Sequence, residues 1–374
     1  MRVTLDATPL LGPRTGVGRY VDALLHDLAS AADAPDLRLA AAVVTVRGQA
    51  RLADLLPDGV SGVGAPMPAR LLQRAWARSE HPAFDRLTGR TNVVHGTNFV
   101  LPPPGRAAGV VTVHDLSFLR SPATVTAAAR AYRELVPRSI RRAGVVLTPS
   151  RAVADEVVEE YRLPADRVVV TPLGVGPSWA RARPPDAAAR ARLGLPERWF
   201  VVVGNLEPRK NLPLLLSAYR QVLSSDPEVP ALVLVGPPGW GPALDTRGIP
   251  AEKVVFTGHR PDRDLQSIVA GSTALLFPTS YEGFGLPPLE AFACGVPVVA
   301  SDLPVTREVL GDTPGAARFV PTGDRDALAA AVAAAGAAVP DAPVADARRR
   351  HAAAYTWRVT GAATLEAYRR VASD

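Results

Sequence analysis

Two carboxylates with seven residues between them mark the segment Glu282-Gly-Phe-Gly-Leu-Pro-Pro-Leu-Glu290. Gly283 and Gly285 carry no Cβ, so a ligand can approach their backbone closely. Pro287 and Pro288 suit the first turn of a helix, where a missing N–H is tolerated. A helix is therefore expected to begin beside them, with Glu282 on the loop at its mouth and Glu290 about two turns inside. Glycine amides ahead of a helix start form a natural seat for a diphosphate. Ionised carboxylates accept hydrogen bonds from sugar hydroxyls. Phosphate and hydroxyl recognition thus meet in one short stretch.

A second segment, Gly204-Asn-Leu-Glu-Pro-Arg-Lys-Asn211, follows the apolar run Phe200-Val-Val-Val203 and leads into a helical pattern over 212–223. Arg209 and Lys210 fall near that helix's N-terminus, where cations oppose the helix dipole. An anionic ligand resolves the conflict: charge-assisted hydrogen bonds to a diphosphate contribute roughly 1.5–3 kcal/mol each. Lys210 stands out further because the chain has only two lysines, Lys210 and Lys253, against forty arginines. In the first half, Val111-Thr-Val-His114-Asp115 puts a histidine at the end of a buried strand, with Asp115 read as a cap of local backbone. His95, in His95-Gly-Thr-Asn98, is a second strand-end histidine. Thr15-Gly-Val-Gly18-Arg-Tyr20 reads as a short glycine loop before a helix over 20–28. It lacks the third glycine and the downstream acid of a dinucleotide-binding turn. Asp262-Arg-Asp264 and Asp324-Arg-Asp326 precede helical runs and read as helix caps. No metal site is expected from them.

Together these motifs resemble the retaining nucleotide-sugar glycosyltransferases of family 4. Glu282 and Glu290 match their Glu-x7-Glu signature, and the spaced motifs cover most of the chain. The form Gly-Asn-Leu-Glu-Pro-Arg-Lys-Asn is similar to that of bacterial GDP-mannose-dependent mannosyltransferases of polysaccharide or glycolipid assembly. The resemblance implies the GT-B fold: α/β, with two Rossmann-like, doubly wound parallel-sheet domains and a cleft between them. It implies that Glu290 holds the nucleotide ribose and that Glu282 contacts the donor sugar. Backbone amides of Gly283, Phe284, Gly285 and Leu286 would hold sugar and phosphate, and Arg209 and Lys210 would neutralise the leaving diphosphate. Gly204 and Asn205 belong to the same donor-binding set. The family often carries arginine directly after the strand glycine; here Asn205 stands there, and Arg209 is the candidate to supply that contact. The resemblance also implies that backbone at Gly258 and His259 reads the base, and that the glycine loop approaches the donor phosphate and the acceptor, with Gly16 the point of close approach and Arg19 an anion contact. His114 falls where related enzymes place a histidine beside the reacting sugar. There it can hydrogen-bond a hydroxyl or, neutral, support positive charge developing on the anomeric carbon. No metal or other cofactor is implied. A nucleoside-diphosphate sugar is the co-substrate, with GDP-mannose favoured over UDP-glucose, UDP-N-acetylglucosamine or a deoxysugar donor.

Short apolar runs recur along the chain with helical patterns between them. They are Val3-Thr-Leu5, residues 39–46, Asn92-Val-Val94, Val110-Val-Thr-Val113, Val145-Val-Leu147 and Val168-Val-Val170 in the first half. The second half has Phe200-Val-Val-Val203, Leu232-Val-Leu-Val235, Val254-Val-Phe256, residues 274–277, residues 296–299 and Arg318-Phe-Val320. Runs without alternation predict strands buried on both faces, hence parallel sheets between helices. Open sheets of this kind bind ligands beyond the carboxyl ends of their strands. Gly16, His95, His114, Ser150, Gly204, Gly236, Gly258, Glu282 and Ser301 fall there. The 374 residues fit two domains. Gly174, Gly176, Pro177, Pro184 and Pro185 mark the break. This gives an acceptor-binding domain over 1–176 and a nucleotide-sugar-binding domain over 177–356. From the resemblance, a final helix over 357–374 crosses back onto the first domain.

The net charge of +6 is uneven: residues 1–180 carry 21 basic against 16 acidic side chains, residues 181–374 carry 21 against 20. The excess in the first half suits anionic material, such as a phosphorylated acceptor or a phospholipid surface. Arg70, Arg74 and Arg78 recur at four-residue spacing beside Leu71, Leu72, Ala75 and Trp76. Such a helix suits either peripheral contact with an anionic membrane or packing of its apolar face inward. The arginines are otherwise dispersed, so nucleic acid is not an expected partner. A single cysteine, Cys294, excludes a disulfide framework. The N-terminus reads as a first strand and not a signal peptide, and the alanine-rich run over 327–339 is too short to span a bilayer. A cytoplasmic enzyme is expected, with the inner face of the plasma membrane as a peripheral station. The expected activity is a retaining, metal-independent hexosyl transfer, mannose favoured, to a glycan, glycolipid or small-molecule acceptor. Two alternatives share the fold: a UDP-N-acetylglucosamine 2-epimerase-like enzyme and a non-catalytic nucleotide-sugar-binding subunit.

Overall fold

The apolar runs form two all-parallel sheets, one in each of two units. The computed structural model describes residues 1–12, 16–31, 34–45 and 48–373, with the side chains of residues 49, 50, 69, 70 and 73 left aside. The first unit comprises Met1–Arg120, Ala127–Gly174 and the chain from Thr356; the second comprises Ser121–Thr126 and Val175–Tyr355.

In the first unit the strands are β1 (Arg2–Asp6), β2 (Arg38–Val44), β3 (Val60–Ala65), β4 (Val93–Gly96), β5 (Ala108–Thr112), β6 (Val145–Thr148) and β7 (Val168–Val170). Their order is β3-β2-β1-β4-β5-β6-β7, every pair parallel. The order reverses between β1 and β4, so the loops leaving these two strands diverge. Val94, Val111 and Val146 of β4, β5 and β6 are buried in one cluster with helix residues Val136, Ile140, Val153 and Val157. β3 is absent from the apolar runs above because Ser61, Gly62 and Gly64 interrupt it. It lies at the sheet edge, only partly covered. Val46, included in the predicted second strand, lies outside the described residues.

The final helix, Trp357–Ser373, belongs to the first unit and packs on helix Gly16–Ala29 and on β5. Close approach explains two glycines. A Cβ on Gly361 would collide with the Asp27 carboxylate, and one on Gly174 would collide with the backbone at Trp357. Tyr368, on the same helix, is fully buried and reaches His95 Nδ1 at 2.7 Å.

The second unit contains β8 (Trp199–Val203), β9 (Ala231–Val235), β10 (Val254–Gly258), β11 (Ala274–Phe277), β12 (Val298–Ser301) and β13 (Ala317–Val320) in the order β10-β9-β8-β11-β12-β13, again all parallel. The reversal falls between β8 and β11. Helices Leu212–Ser225 and Arg325–Ala337 cover one face with Leu215, Leu216, Tyr219, Leu328 and Val332. Burying side chains of this size stabilises by roughly 1.5–3 kcal/mol each. β10 was expected to be buried on both faces. It is the edge strand instead, and Phe256 is largely exposed. Residues 121–126 group with the second unit, where Trp240 Nε1 donates to Thr124 O at 3.0 Å.

Candidate active site

The point where strand order reverses opens a crevice at the carboxyl edge of such a sheet. In the second unit the loops leaving β8 and β11 flank it. Gly204 follows β8, and its φ of +135° is open to glycine and costly for other residues. The neighbouring Gly236, φ +149°, also has no room for a Cβ, which would strike Gly204 O. These close contacts turn the chain into the short helical turn Pro208–Lys210, and Asn211 adopts a left-handed conformation before helix Leu212–Ser225. From β11 the chain runs through Thr279 to Glu282. The loops are stitched together: Ser280 N–H donates to Arg209 O at 2.9 Å, and Thr279 Oγ1 lies 3.0 Å from the same oxygen.

This stitching brings three of the predicted residues into one ion cluster. Lys210 Nζ donates to Glu282 Oε1 at 2.6 Å, and Arg209 Nη1 lies 2.6 Å from Glu282 Oε2. Arg209 Nη2 donates to Glu207 Oε1 at 2.6 Å, and Nη1 also reaches Tyr281 O at 2.7 Å. Lys210 Nζ stands 4.7 Å from the centre of the Phe277 ring, a cation–π distance. The Glu282 side chain is only 9% exposed. Burial by itself would raise its pKa, but Arg209 and Lys210 outweigh burial and hold it down to about 2. Two carboxylates and two cations thus balance in the cluster. A diphosphate arriving here would find both cations already placed. A carboxylate has about four lone-pair sites, so Glu282 can hold the cations and still accept a hydroxyl.

The sequence reading separated these roles, with the cations on phosphate and Glu282 on sugar. In the structure the two sets are joined: both Glu282 oxygens are engaged by the cations. The predicted helix start is present as Leu286–Ala293, with Pro287 and Pro288 in its first turn and Gly285 left-handed (φ +98°) at its N-cap. The two prolines remove two of the N–H groups a helix start offers. Anion contacts from this turn therefore fall to the amides at and before Leu286. Glu290 is the fifth residue of the helix, just over one turn inside and not two, because the Gly285 cap sets the start late. It is 1% exposed. Phe284 is buried with its ring edge-on to Tyr355 at 6.0 Å. The Cys294 thiol is pushed up to about 12, by burial first and then by Glu290, so it is no thiolate nucleophile.

The remaining predicted donor residues lie along the same carboxyl edge without entering the cluster. Asn205, half-buried, follows Gly204. Gly258 ends β10 at φ +68°, and its carbonyl accepts from Gly236 N at 2.9 Å. His259 after it is exposed. The first Asp-Arg-Asp triplet is not a side-chain cap, since Pro261 holds that place and Asp264 pairs with Arg192 at 2.9 Å. Asp324 does cap its helix, accepting from Ala327 N at 2.9 Å. Among the described residues no three His, Cys, Asp or Glu side chains converge as a metal site requires. A pocket of about 850 Å³ lined by Ser178, Arg181, Arg183, Arg192 and Gln266 includes none of the predicted residues.

In the first unit, Gly16 and Gly18 are not a loop: helix Gly16–Ala29 already begins at Gly16, with Thr15 outside the described residues. Gly16 is exposed and has open space where a Cβ would stand. His114 follows β5, half-buried. Its Nε2 lies 2.8 Å from Thr97 O, a carbonyl that can only accept, so Nε2 carries the proton and Nδ1 is left as the acceptor. Tyr20 and Phe99 meet its ring edge-on at 5.1 and 5.4 Å. Burial lowers its pKa, with the Thr97 carbonyl and Asp115 opposing in part. Asp115 Oδ1 accepts from Ser117 N at 2.8 Å, a local backbone cap. His95 is fully buried between Tyr368 and Thr112, and burial holds its pKa near 3, so it is a neutral structural residue. On helix Ala69–Trp76, Leu72 and Trp76 pack inward while Leu71 and Arg74 are exposed; the Arg70 side chain is outside the described set. No single described helix is long and apolar enough to cross a membrane.

Comparison with known proteins follows this division. Residues 15–174 match the family model described as glycosyl transferase 4-like domain, and residues 197–336 match glycosyl transferases group 1. O-antigen chain mannosyltransferase B of Escherichia coli is 30% identical over 341 residues, covering 83% of this chain and 85% of that protein. D-inositol 3-phosphate glycosyltransferase of Rhodococcus jostii is 34% identical over 239 residues, 58% of this chain and 52% of that protein. Among solved structures, HepE of Anabaena in complex with UDP superposes with a TM-score of 0.66 at 17% identity, covering 98% of both chains.

Proposed function

The chain belongs to glycosyltransferase family 4, with the GT-B fold, and from that premise we propose that it moves a hexose, mannose first, from a nucleoside-diphosphate sugar to a hydroxyl acceptor with retention of anomeric configuration. The observation that carries this reading is the cluster of Arg209, Lys210 and Glu282 at the strand-order reversal of the second sheet. Fixed cations at such a place supply what a departing diphosphate needs, and they do so without reorganising during the reaction. The resemblance to mannosyltransferase B favours mannose, and thus GDP-mannose. The superposition on a UDP complex keeps uridine donors in the test.

In the proposed reaction the bond from the anomeric carbon to the phosphate oxygen breaks, and a bond from that carbon to the acceptor oxygen forms on the same face. The acceptor proton passes to the departing phosphate oxygen, whose charge Arg209 and Lys210 stabilise. Glu282 holds these cations in place and offers its remaining lone pairs to the sugar. Glu290 takes the ribose hydroxyls. His114, neutral with Nδ1 as acceptor, receives a hydrogen bond from a sugar hydroxyl. Because protein cations carry the counter-charge, transfer proceeds without a divalent metal. Proton NMR of the full chain incubated with GDP-mannose, UDP-glucose or dTDP-glucose, with and without methyl glycoside acceptors, tests this. Appearance of an α-linked product from one donor is expected. A β-linked product would end the retaining assignment, and no turnover of any donor would end the transferase reading.

A further inference from the structure

We infer that Asp6, together with Tyr132, holds the acceptor through its hydroxyls beside His114, and that the group seated there is an uncharged sugar and not a phosphate or other anion. This rests on the transferase reading above and adds the acceptor class to it.

The first sheet also reverses its strand order, between β1 and β4. Asp6 is the last residue of β1, and Thr97 is the first after β4. Thr97 ties the reversal to His114: its Oγ1 donates to Asp6 O at 2.6 Å, and its carbonyl accepts from His114 Nε2 at 2.8 Å. Asp6, Thr97 and His114 are therefore held in one fixed arrangement at the carboxyl edge. Tyr132 joins them from the side. Its ring stacks on Phe99 at 4.6 Å, and Phe99 in turn meets His114. Its hydroxyl is bonded by Asn98 and lies within the field of both Asp6 and Asp115, which add to burial in raising its pKa.

The Asp6 carboxylate accepts from Thr8 N–H at 3.0 Å and Thr8 Oγ1 at 2.5 Å, both on Oδ1. Among the described residues no cation pairs with Asp6 or with Asp115. A largely buried carboxylate without a counter-ion is costly, and burial raises its pKa accordingly. Oδ2 is left to accept from a ligand. Hydroxyl groups suit this set of acceptors, with Asp6 Oδ2 and the Tyr132 oxygen both able to receive hydrogen bonds. A phosphate does not, because the Asp6 and Asp115 carboxylates would repel it. The two reversal points thus carry opposite character: cations in the second unit, carboxylates and neutral rings in the first.

The test uses the full chain and saturation-transfer NMR titrations with methyl α-D-mannopyranoside and methyl α-D-glucopyranoside, each against the corresponding 6-phosphate. At least one neutral glycoside is expected to bind the wild type about tenfold or more tightly than its phosphate. Asp6→Asn is expected to weaken the neutral glycoside about tenfold or more, the range of one charge-assisted hydrogen bond, and to narrow the gap to the phosphate. Its melting temperature should hold or rise, because the variant removes a buried charge; a merely structural Asp6 would lower it. Tyr132→Phe, a smaller change that keeps the Phe99 stack, is expected to weaken the same glycoside several-fold and provides a second reading should Asp6→Asn fail to fold. Tighter binding of the phosphate by the wild type, no binding of either glycoside, or unchanged affinity in both variants would overturn the inference. Nucleotide titrations of the same samples report on the donor reading separately, since neither substitution touches the second unit.

Discussion

Replacing Lys210 by methionine separates the two jobs of the ion cluster. Methionine keeps an unbranched chain against Phe277 and removes the charge that lies 2.6 Å from Glu282 Oε1. Holding Glu282 ionised down to about 2, against an ordinary 4.5, corresponds to about 3 kcal/mol of favourable interaction at neutral pH. Because the folded pKa is depressed, that stability is present above about pH 4.5 and is lost as the pH falls toward about 2. Arg209 shares it, so Lys210→Met is expected to cost about 1–2 kcal/mol and to lower the melting temperature by about 2–8 °C. Adding Glu282→Gln removes the carboxylate left with one partner and should recover part of that loss. Turnover should behave differently. Losing one preorganised donor to the leaving group costs about 10²–10³-fold in kcat, and the second substitution should not restore it. Differential scanning calorimetry and steady-state release of nucleoside diphosphate read the two effects. A double variant that regains both stability and turnover would show that Lys210 serves only the fold. A single variant with turnover within about threefold of wild type would refute the reasoning.

Three further outcomes are expected. Gly236→Ala forces a Cβ onto Gly204 O and should destabilise the chain by about 2 kcal/mol or more and abolish nucleotide binding, measured by calorimetry. His95, buried neutral with its pKa near 3, makes the folded chain resist protonation, so its stability contribution is present above about pH 6.5 and falls as the pH drops toward 3. Urea titrations at pH 7 and pH 5 should differ by about 2 kcal/mol from this group alone, most of it lost below about pH 6.5, and a flat profile would contradict its burial. Transfer in excess EDTA should match that with added magnesium, whereas an EDTA-sensitive rate would refute metal-independent transfer.

Much of the architecture is readable because parallel strands buried on both faces appear as unbroken apolar runs. β3 escaped because Ser61, Gly62 and Gly64 break its run, which an edge strand tolerates. Proline and glycine chemistry located the start of helix Leu286–Ala293, but the depth of Glu290 depended on the left-handed Gly285, a backbone state no composition displays. The Lys210–Glu282 pair, 72 residues apart, depends on β8 and β11 being neighbours, so periodicity alone could not pair them. Asp6 was passed over although the rule that ligands bind at strand carboxyl ends applies to it directly. At the end of a short strand an aspartate reads as a turn residue, and only the missing counter-ion distinguishes it.

The central claim is that the cations of the second unit seat a nucleotide diphosphate for sugar transfer. Isothermal titration of the full chain with GDP-mannose, UDP-glucose and dTDP-glucose, repeated on Lys210→Met, tests it most directly. Saturable binding of one donor by the wild type, weakened about tenfold or more by the substitution, is the predicted result. Equal binding by both proteins, or none of the three donors bound, would contradict it.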